Sequence, residues 1–459
     1  MTTRVLVLCR AAVGSKMASP GIRSYNIARV LHQALPGAQV TLASPATSPS
    51  DLDAASVPFG YERYDGRSLA GLVARHDIVV SARFPLKVLP YARTRRFVLD
   101  LYTPFITEWI EMTKGDPGPA HRRAWLEPQR KDLLIQLGVA DLVLCANVRQ
   151  RDLIAGMMGT VGYITPHVYD YNPTLDRLIR VAPLGIRDTA PVPGAPLLRG
   201  VREGFGPDDF IMIWNGTIVE WYDLDVLLRA VARVAERHPH VRLFFMGTEH
   251  PDSAGSKPLQ GLGGGATRKA LRLASELGIL DRNVFFNFTW ATSEETQQYL
   301  LESDIGVCTY FDSLETRYSF RVRYLDLLWA KLPMVITRGD VVAEMVEQRE
   351  LGIAVPEGDL DALTAALERL VADPAFRERC RANLAAVREE FTWERTLQPL
   401  VDFCADPSQS LVRRRERVLP LTMRAFDWAL SRAHYALRFE TRKKLGELMH
   451  PGREWPTDW

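Results

Sequence analysis

Short, wholly apolar β-rich runs alternate with helical stretches along most of the chain, and the alternation restarts once. Strands with no polar face are buried on both sides, an environment that a parallel sheet covered by helices provides. In the first half the runs are RVLVLCR (4–10), QVTLASP (39–45), DIVVSA (77–82), RFVLDL (96–101) and ADLVLCA (140–146). Stretches such as IRSYNIARVLHQAL and RKDLLIQLG supply helices between them. Residues 181–200, VAPLGIRDTAPVPGAPLLRG, are rich in proline and glycine and read as an interdomain linker. The pattern then resumes with DFIMIWNG (209–216), VRLFFMG (241–247), VFFNF (284–288), DIGVCT (304–309), PMVIT (333–337) and GIAV (352–355). Strong amphipathic helices span 223–239 and 360–373. At 459 residues the chain exceeds what one core holds, so two doubly wound α/β halves are expected.

The net charge of +2 argues against a strongly polyanionic partner, and no nucleic acid is expected. The five cysteines form no C-x-x-C pair and no cluster with histidine. They read as buried thiols in a reducing cytosol, without disulfides or zinc. No segment reaches the length of a membrane span, and the first apolar run is too short for a signal peptide, so a cytoplasmic location is expected. Residues 391–410 read as a last helix ending in a breaker. The tail, 411–459, carries eleven Lys/Arg against six Asp/Glu, with large apolar residues such as Phe426, Trp428, Tyr435 and Trp455. It reads either as helices packed back on the body or as a basic amphipathic surface resting on anionic lipid.

The stretch ETRYSFRVRYLDLLWAKLPMVIT (315–337) carries the strongest chemical signal. A polar, arginine-rich loop runs into an apolar helix. In α/β sheets, anionic ligands meet helix N-termini at the carboxyl ends of strands. Arg321 and Arg323 are bidentate phosphate donors, and Asp326 is placed to accept hydrogen bonds from a sugar ring. Together they point to a nucleotide-diphosphate ligand. Other strand ends add candidates. Gly216 and Thr217 follow DFIMIWN and offer backbone and hydroxyl donors, and His250 follows VRLFFMG. Trp221 and Tyr222 read equally as a sugar platform or as a cap on the domain. After the first strand, the loop with Gly14, Lys16 and Arg23 is either a plain turn or a contact to ligand across the cleft. It matches neither phosphate-loop nor dinucleotide fingerprints. Gly261 to Gly265 reads as a flexible connection. Glu108 and Glu111 lie three apart, as an acid/base pair or as a solvated helix face. Asn147, Arg149 and Gln150 close another strand end.

From about 205 to 400 the order of features resembles the nucleotide-sugar domain of the retaining family-4 glycosyltransferases with the GT-B fold. The resemblance is carried by the N-G-T turn and its helix, the strand ending FMG, D-R-N-V-F-F-N, S-D-I-G-V, LDLLWAKLPMVIT and V-P-E-G-D-L-D-A-L. The first half, with its glycine loop and the G-I-R-S-Y-N-I-A-R-V-L helix, resembles the acceptor-side domain. The implied architecture is two Rossmann-like domains facing a cleft, with a C-terminal helical extension. Its expected parts are an acceptor-side domain at 1–190, a nucleotide-sugar domain at 200–390, a crossover helix at 391–410 and the tail.

The family signature is a pair of glutamates with seven residues between them, the second of which holds the ribose. Asp326 takes that second place, and Tyr318 stands at the first. Glu315 is the nearest carboxylate. The arginine and lysine that the family carries after the first strand of this domain are missing from GTIVEWYDLD, which leaves their charge to Arg321 and Arg323, with His250. The SFRVRYLD variant resembles a bacterial subgroup met among polysaccharide and cell-envelope glycosyltransferases.

The resemblance implies transfer of a sugar from a nucleotide-diphosphate sugar to a hydroxyl acceptor, with retention and without a metal or other cofactor. Arg321 and Arg323 would neutralise the diphosphate and Glu315 would orient the donor sugar. Asp326 would fix the ribose, and Tyr318, Ser319 and Phe320 would line the donor. Gly14, Lys16 and Arg23 would face the acceptor or phosphate. A tail on anionic lipid implies a lipid-linked acceptor and a peripheral position on the inner face of the membrane. Two other readings stand beside this one: a catalytically silent binder of nucleotide sugar that supports a partner, and a nucleotide-sugar 2-epimerase.

Overall fold

The computed structural model describes residues 2–15, 17–114, 118–247, 264–289 and 291–409, together with 426, 428–430, 432 and 433. Two sheets, all parallel, organise the chain. The first contains β1 (Arg4–Leu8), β2 (Gln39–Pro45), β3 (Gly60–Tyr64), β4 (Ile78–Ser81), β5 (Arg96–Leu101), β6 (Leu142–Cys145) and β7 (Ile179–Val181), in the order β3-β2-β1-β4-β5-β6-β7. The second contains β8 (Phe210–Trp214), β9 (Val241–Phe245), β10 (Val284–Phe286), β11 (Ile305–Cys308), β12 (Met334–Thr337) and β13 (Gly352–Val355), in the order β10-β9-β8-β11-β12-β13. Each sheet reverses direction of growth beside its first strand, between β1 and β4 and between β8 and β11. These are the places where an open α/β sheet leaves a crevice beyond its strand ends.

The continuous apolar runs form the central strands. Val5 and Val7 face one side of the first sheet while Leu6 and Leu8 face the other, and all four are buried. Two strands were not expected from the sequence. β3 is the polar edge GYERY, with three of its residues exposed, and β7 is the short edge IRV. An edge strand has no need of two apolar faces, so it lacks the signal that marks the centre.

The linker rejoins the body closely. The Trp329 indole N–H donates to the Thr189 carbonyl at 2.6 Å. A Cβ on Gly185 would come within 2.6 Å of the Trp393 ring, so only glycine lets the two segments touch. Past Trp393 the chain returns to the first domain: Arg29 bonds Glu394 at 3.0 Å, and Arg180 bonds the Pro399 carbonyl at 3.0 Å. All five cysteines are free and buried. Among the described residues no helix is long and apolar enough to cross a membrane. Lys16, His250, the 261–263 part of the glycine run and nearly all of 411–459 lie outside the described residues.

Candidate active site between the two sheets

The site grows from the end of β8. Trp214 is buried, and Asn215-Gly216-Thr217 turn the chain there with Gly216 at φ +107°. That backbone conformation suits glycine and strains other residues. The Asn215 side-chain amide donates to the Arg323 carbonyl at 2.8 Å, tying the turn to the Arg323–Trp329 helix.

Arg323 lies over this turn. Its guanidinium sits 4.4 Å from the Tyr222 ring centre and 4.9 Å from that of Trp214. Nη2 donates to the Thr217 carbonyl at 2.9 Å and to the Tyr222 hydroxyl at 2.8 Å. Nη1 is buried and has no hydrogen-bond partner among the described residues. Buried N–H groups are seldom left that way, so this one is suited to a ligand oxygen. Gly216, Thr217 and Arg323 are therefore brought together. One helical turn on, Asp326 is crowded by protein, which raises its pKa, while Arg187, Asn215 and Arg323 oppose the rise.

Arg321 does something else. It is buried, and its terminal nitrogens reach the two Glu315 oxygens at 2.9 and 2.6 Å. The Ser319 hydroxyl donates to the same carboxylate. Burial acts against the Arg321 charge, but Glu315, joined by Tyr222 and Asp340, outweighs it and holds the pKa above the ordinary value. This departs from the expected roles of both residues. The charge of Arg321 is matched inside the protein, and the Glu315 carboxylate faces a guanidinium instead of open space for a sugar.

The loop after Glu315 joins the domains. The Tyr318 carbonyl accepts from Asn147 at 3.0 Å and from Gln150 at 2.9 Å, and the Ser319 carbonyl accepts from Asn147 at 3.3 Å. Phe320 stacks on Phe391 at 6.1 Å. Arg149 donates to the Gly339 carbonyl at 2.7 Å and pairs with Glu344. Asn147, Arg149 and Gln150 thus clamp the first domain onto the second. Trp221 is buried and packs beside Tyr222.

Arg23 also departs from expectation. It is 1% exposed, holds both Asp100 oxygens at 2.6 Å, and donates to the Ala182 and Pro183 carbonyls at 2.9 and 3.0 Å. It stitches the end of β5 to the chain after β7 and presents no free donor edge to a cleft. Gly14 has φ +139°, and a Cβ there would lie 1.6 Å from an Asp51 oxygen, so the glycine serves a close approach within its own domain.

Two carboxyl groups gain weight from the fold. Glu108, on the Phe105–Met112 helix, meets the charge of Glu315 across the domain contact. Burial and then that charge push its pKa up to about 7. Glu111 instead bridges to Lys114 at 2.5 Å, so the two glutamates do not act as a pair. Asp340 follows β12, accepts from the Val342 and Ala343 N–H groups at 2.9 and 2.7 Å, and is pushed up to about 6 by burial. Sequence reasoning passed over Asp340, although an aspartate directly before an apolar helix is a recognisable cap.

Residues 209–373 match the family model described as glycosyl transferases group 1. The D-inositol 3-phosphate glycosyltransferase of Stackebrandtia nassauensis is 26% identical over 235 residues, covering 50% of this chain and 49% of that protein. The enzyme of the same name from Rhodococcus jostii is 25% identical, covering 51% and 48%. The chain thus spans about half the length of the curated relatives it matches. Among solved structures, the sucrose-phosphate synthase of Thermosynechococcus elongatus superposes with a TM-score of 0.59 at 16% identity, covering 88% of this chain and 99% of that one. WaaG, a glycosyltransferase involved in lipopolysaccharide biosynthesis, gives 0.57 at 14% identity over 88% and 100%. Anabaena HepE in complex with UDP and glucose gives 0.57 at 12% identity over 88% and 99%. The chain has the two-domain GT-B fold, and its second domain carries a glycosyl transferases group 1 sequence over residues 209–373.

Proposed function

We propose that the protein transfers a sugar from a nucleotide-diphosphate sugar to a hydroxyl acceptor with retention, in polysaccharide or cell-envelope glycan synthesis. The observation that carries this reading is Arg323, laid over Trp214 and Tyr222 at the Gly216-Thr217 turn with one buried donor unmatched. The matching family model and a neighbour solved with UDP and glucose support it.

In the reaction, the acceptor oxygen bonds to the anomeric carbon. The bond from that carbon to the diphosphate oxygen breaks, and its electron pair leaves with the diphosphate. The acceptor proton passes to the diphosphate or to solvent. Negative charge therefore grows on the leaving group, and a fixed guanidinium beside it lowers the barrier more than it stabilises the bound substrate. Arg323 fills that role. Asp326 accepts from the ribose hydroxyls, and Gly216 lets the backbone approach the diphosphate closely. Arg321 and Glu315 hold the loop in shape as a matched pair. The acceptor is placed at the inner face of the membrane, a position supported by the basic, aromatic composition of 411–459.

Calorimetry with UDP, GDP and their sugars tests donor binding, and mass and NMR analysis of products tests transfer and anomeric configuration. Inverted product would remove the retaining assignment. A second reading, a silent binder that supports a partner enzyme, is favoured by one observation: Arg321, one of the two arginines expected at the diphosphate, is matched by Glu315 and gives no free charge. Donor binding without turnover across many acceptors would select it.

A further inference from the structure

The switch point of the first sheet holds a cavity whose lining includes none of the residues around Arg323. Its volume is about 330 Å³, near the lower end for small-molecule sites. The ends of β1, β4 and β5 form its floor, and Tyr102, Phe105 and Trp109 form an aromatic wall. Phe105 and Trp109 belong to the same helix as Glu108, which meets Glu315 of the second domain, so the cavity adjoins the interdomain contact.

The charges around this cavity do not balance. Asp100 lines it, but both of its oxygens are held by Arg23. Asp132 pairs with Arg83 at 2.6 Å. Gln136 is closed on the backbone of Phe84, accepting at 2.7 Å and donating at 3.0 Å. Arg10 also lines the cavity, and its side chain makes no hydrogen bond or ion pair among the described residues. Its side chain reaches solvent. Packed protein atoms and then the nearby Arg83 charge lower its pKa, and Tyr64 and Asp132 oppose that shift only in part. Arg10 and Arg83 thus share one carboxylate, that of Asp132, which leaves one positive charge in surplus.

We propose that this cavity binds the acceptor, and that the acceptor is a ring compound bearing an anionic group, a carboxylate or a phosphate, which pairs with Arg10. The ring lies against Trp109 and Phe105, and Arg83 supplies the second cation. An aromatic face accommodates the apolar side of a sugar or aryl ring, and one surplus positive charge matches one anion. The inference rests on the transferase reading and names the substrate class at its acceptor side.

Three probes of equal ring size separate the possibilities: methyl glucoside, glucuronate and glucose 6-phosphate. Their binding to the full chain is measured by ligand-observed NMR. At least one anionic probe should bind about ten-fold or more tightly than the neutral one, the effect of one charge-assisted contact. Which anion is preferred tells carboxylate from phosphate. Arg10→Gln should erase the preference, and Arg10→Lys should keep part of it. Equal binding of all three probes, no binding of either anion, or a preference that survives Arg10→Gln overturns the proposal. UDP calorimetry on the same samples keeps the two ideas apart. Lost UDP binding with an intact anion preference defeats the donor reading, and intact UDP binding without the preference defeats this inference alone.

Discussion

Arg321 and Glu315 form a closed ion pair, with side chains 6% and 3% exposed and two nitrogens facing two oxygens. Two residues further on, Arg323 has a tyrosine hydroxyl and a carbonyl for partners and one donor to spare. One arginine therefore belongs to the framework and the other to the ligand, which makes their replacements separable.

Arg321→Met should destabilise the fold by about 3–5 kcal/mol, because it strands a buried carboxylate. Adding Glu315→Leu should recover most of that loss, since an apolar pair can replace a buried ion pair at little cost. Chemical denaturation measures both. If the single variant stays folded and loses as much UDP affinity as Arg323→Ala, Arg321 contacts the diphosphate after all.

Arg323→Ala should weaken UDP binding by about 10- to 100-fold, the value of a charged hydrogen bond of ~1.5–3 kcal/mol. Arg323→Lys should restore only part of the affinity. An ammonium keeps the charge but loses the planar stack on Tyr222 and Trp214. Calorimetry reads the series, and unchanged affinity in the alanine variant would remove Arg323 from the mechanism.

Glu108 predicts a pH slope. Its pKa rises from 4.5 in the unfolded chain to about 7 in the fold. Between these values the native state binds more protons, so stability is highest below the lower value and declines as pH rises through the upper one. The decline from this one group is at most ~3 kcal/mol. Glu108→Gln should flatten it, and should gain stability on the wild type between pH ~5 and ~8, where ordinary carboxylates are ionised. Denaturation curves at both pH values check the difference, and Asp340, raised in the same direction, leaves a residual slope in the variant.

Arg23→Leu should cost about 3–5 kcal/mol, leaving Asp100 buried without its partner. UDP affinity of the folded fraction should stay at the wild-type value. Loss of donor affinity with unchanged stability would return Arg23 to the cleft.

The tail is tested by flotation with vesicles of anionic and of neutral lipid. The full chain should float with anionic vesicles and lose this at high salt, while a chain ending at residue 409 should stay behind. Equal behaviour of the two would detach the tail from membrane contact.

The central strands were legible in the sequence because burial on both faces writes an unbroken apolar run, and all eleven strand runs read there lie in the sheets, with each end within two residues of its expected bound. Edge strands β3 and β7 escaped because they lack that burial. The sequence also located the loop and helix where Gly216, Thr217 and Arg323 meet, since residue type and strand-end position are local properties. It did not tell Arg321 from Arg323, or recognise Arg23 as a strut. Those assignments depend on Tyr222, a hundred and one positions before Arg323, and on Asp100, seventy-seven positions after Arg23. A charge takes its role from whatever partner the fold brings within hydrogen-bond reach, and separation along the chain carries no record of that approach.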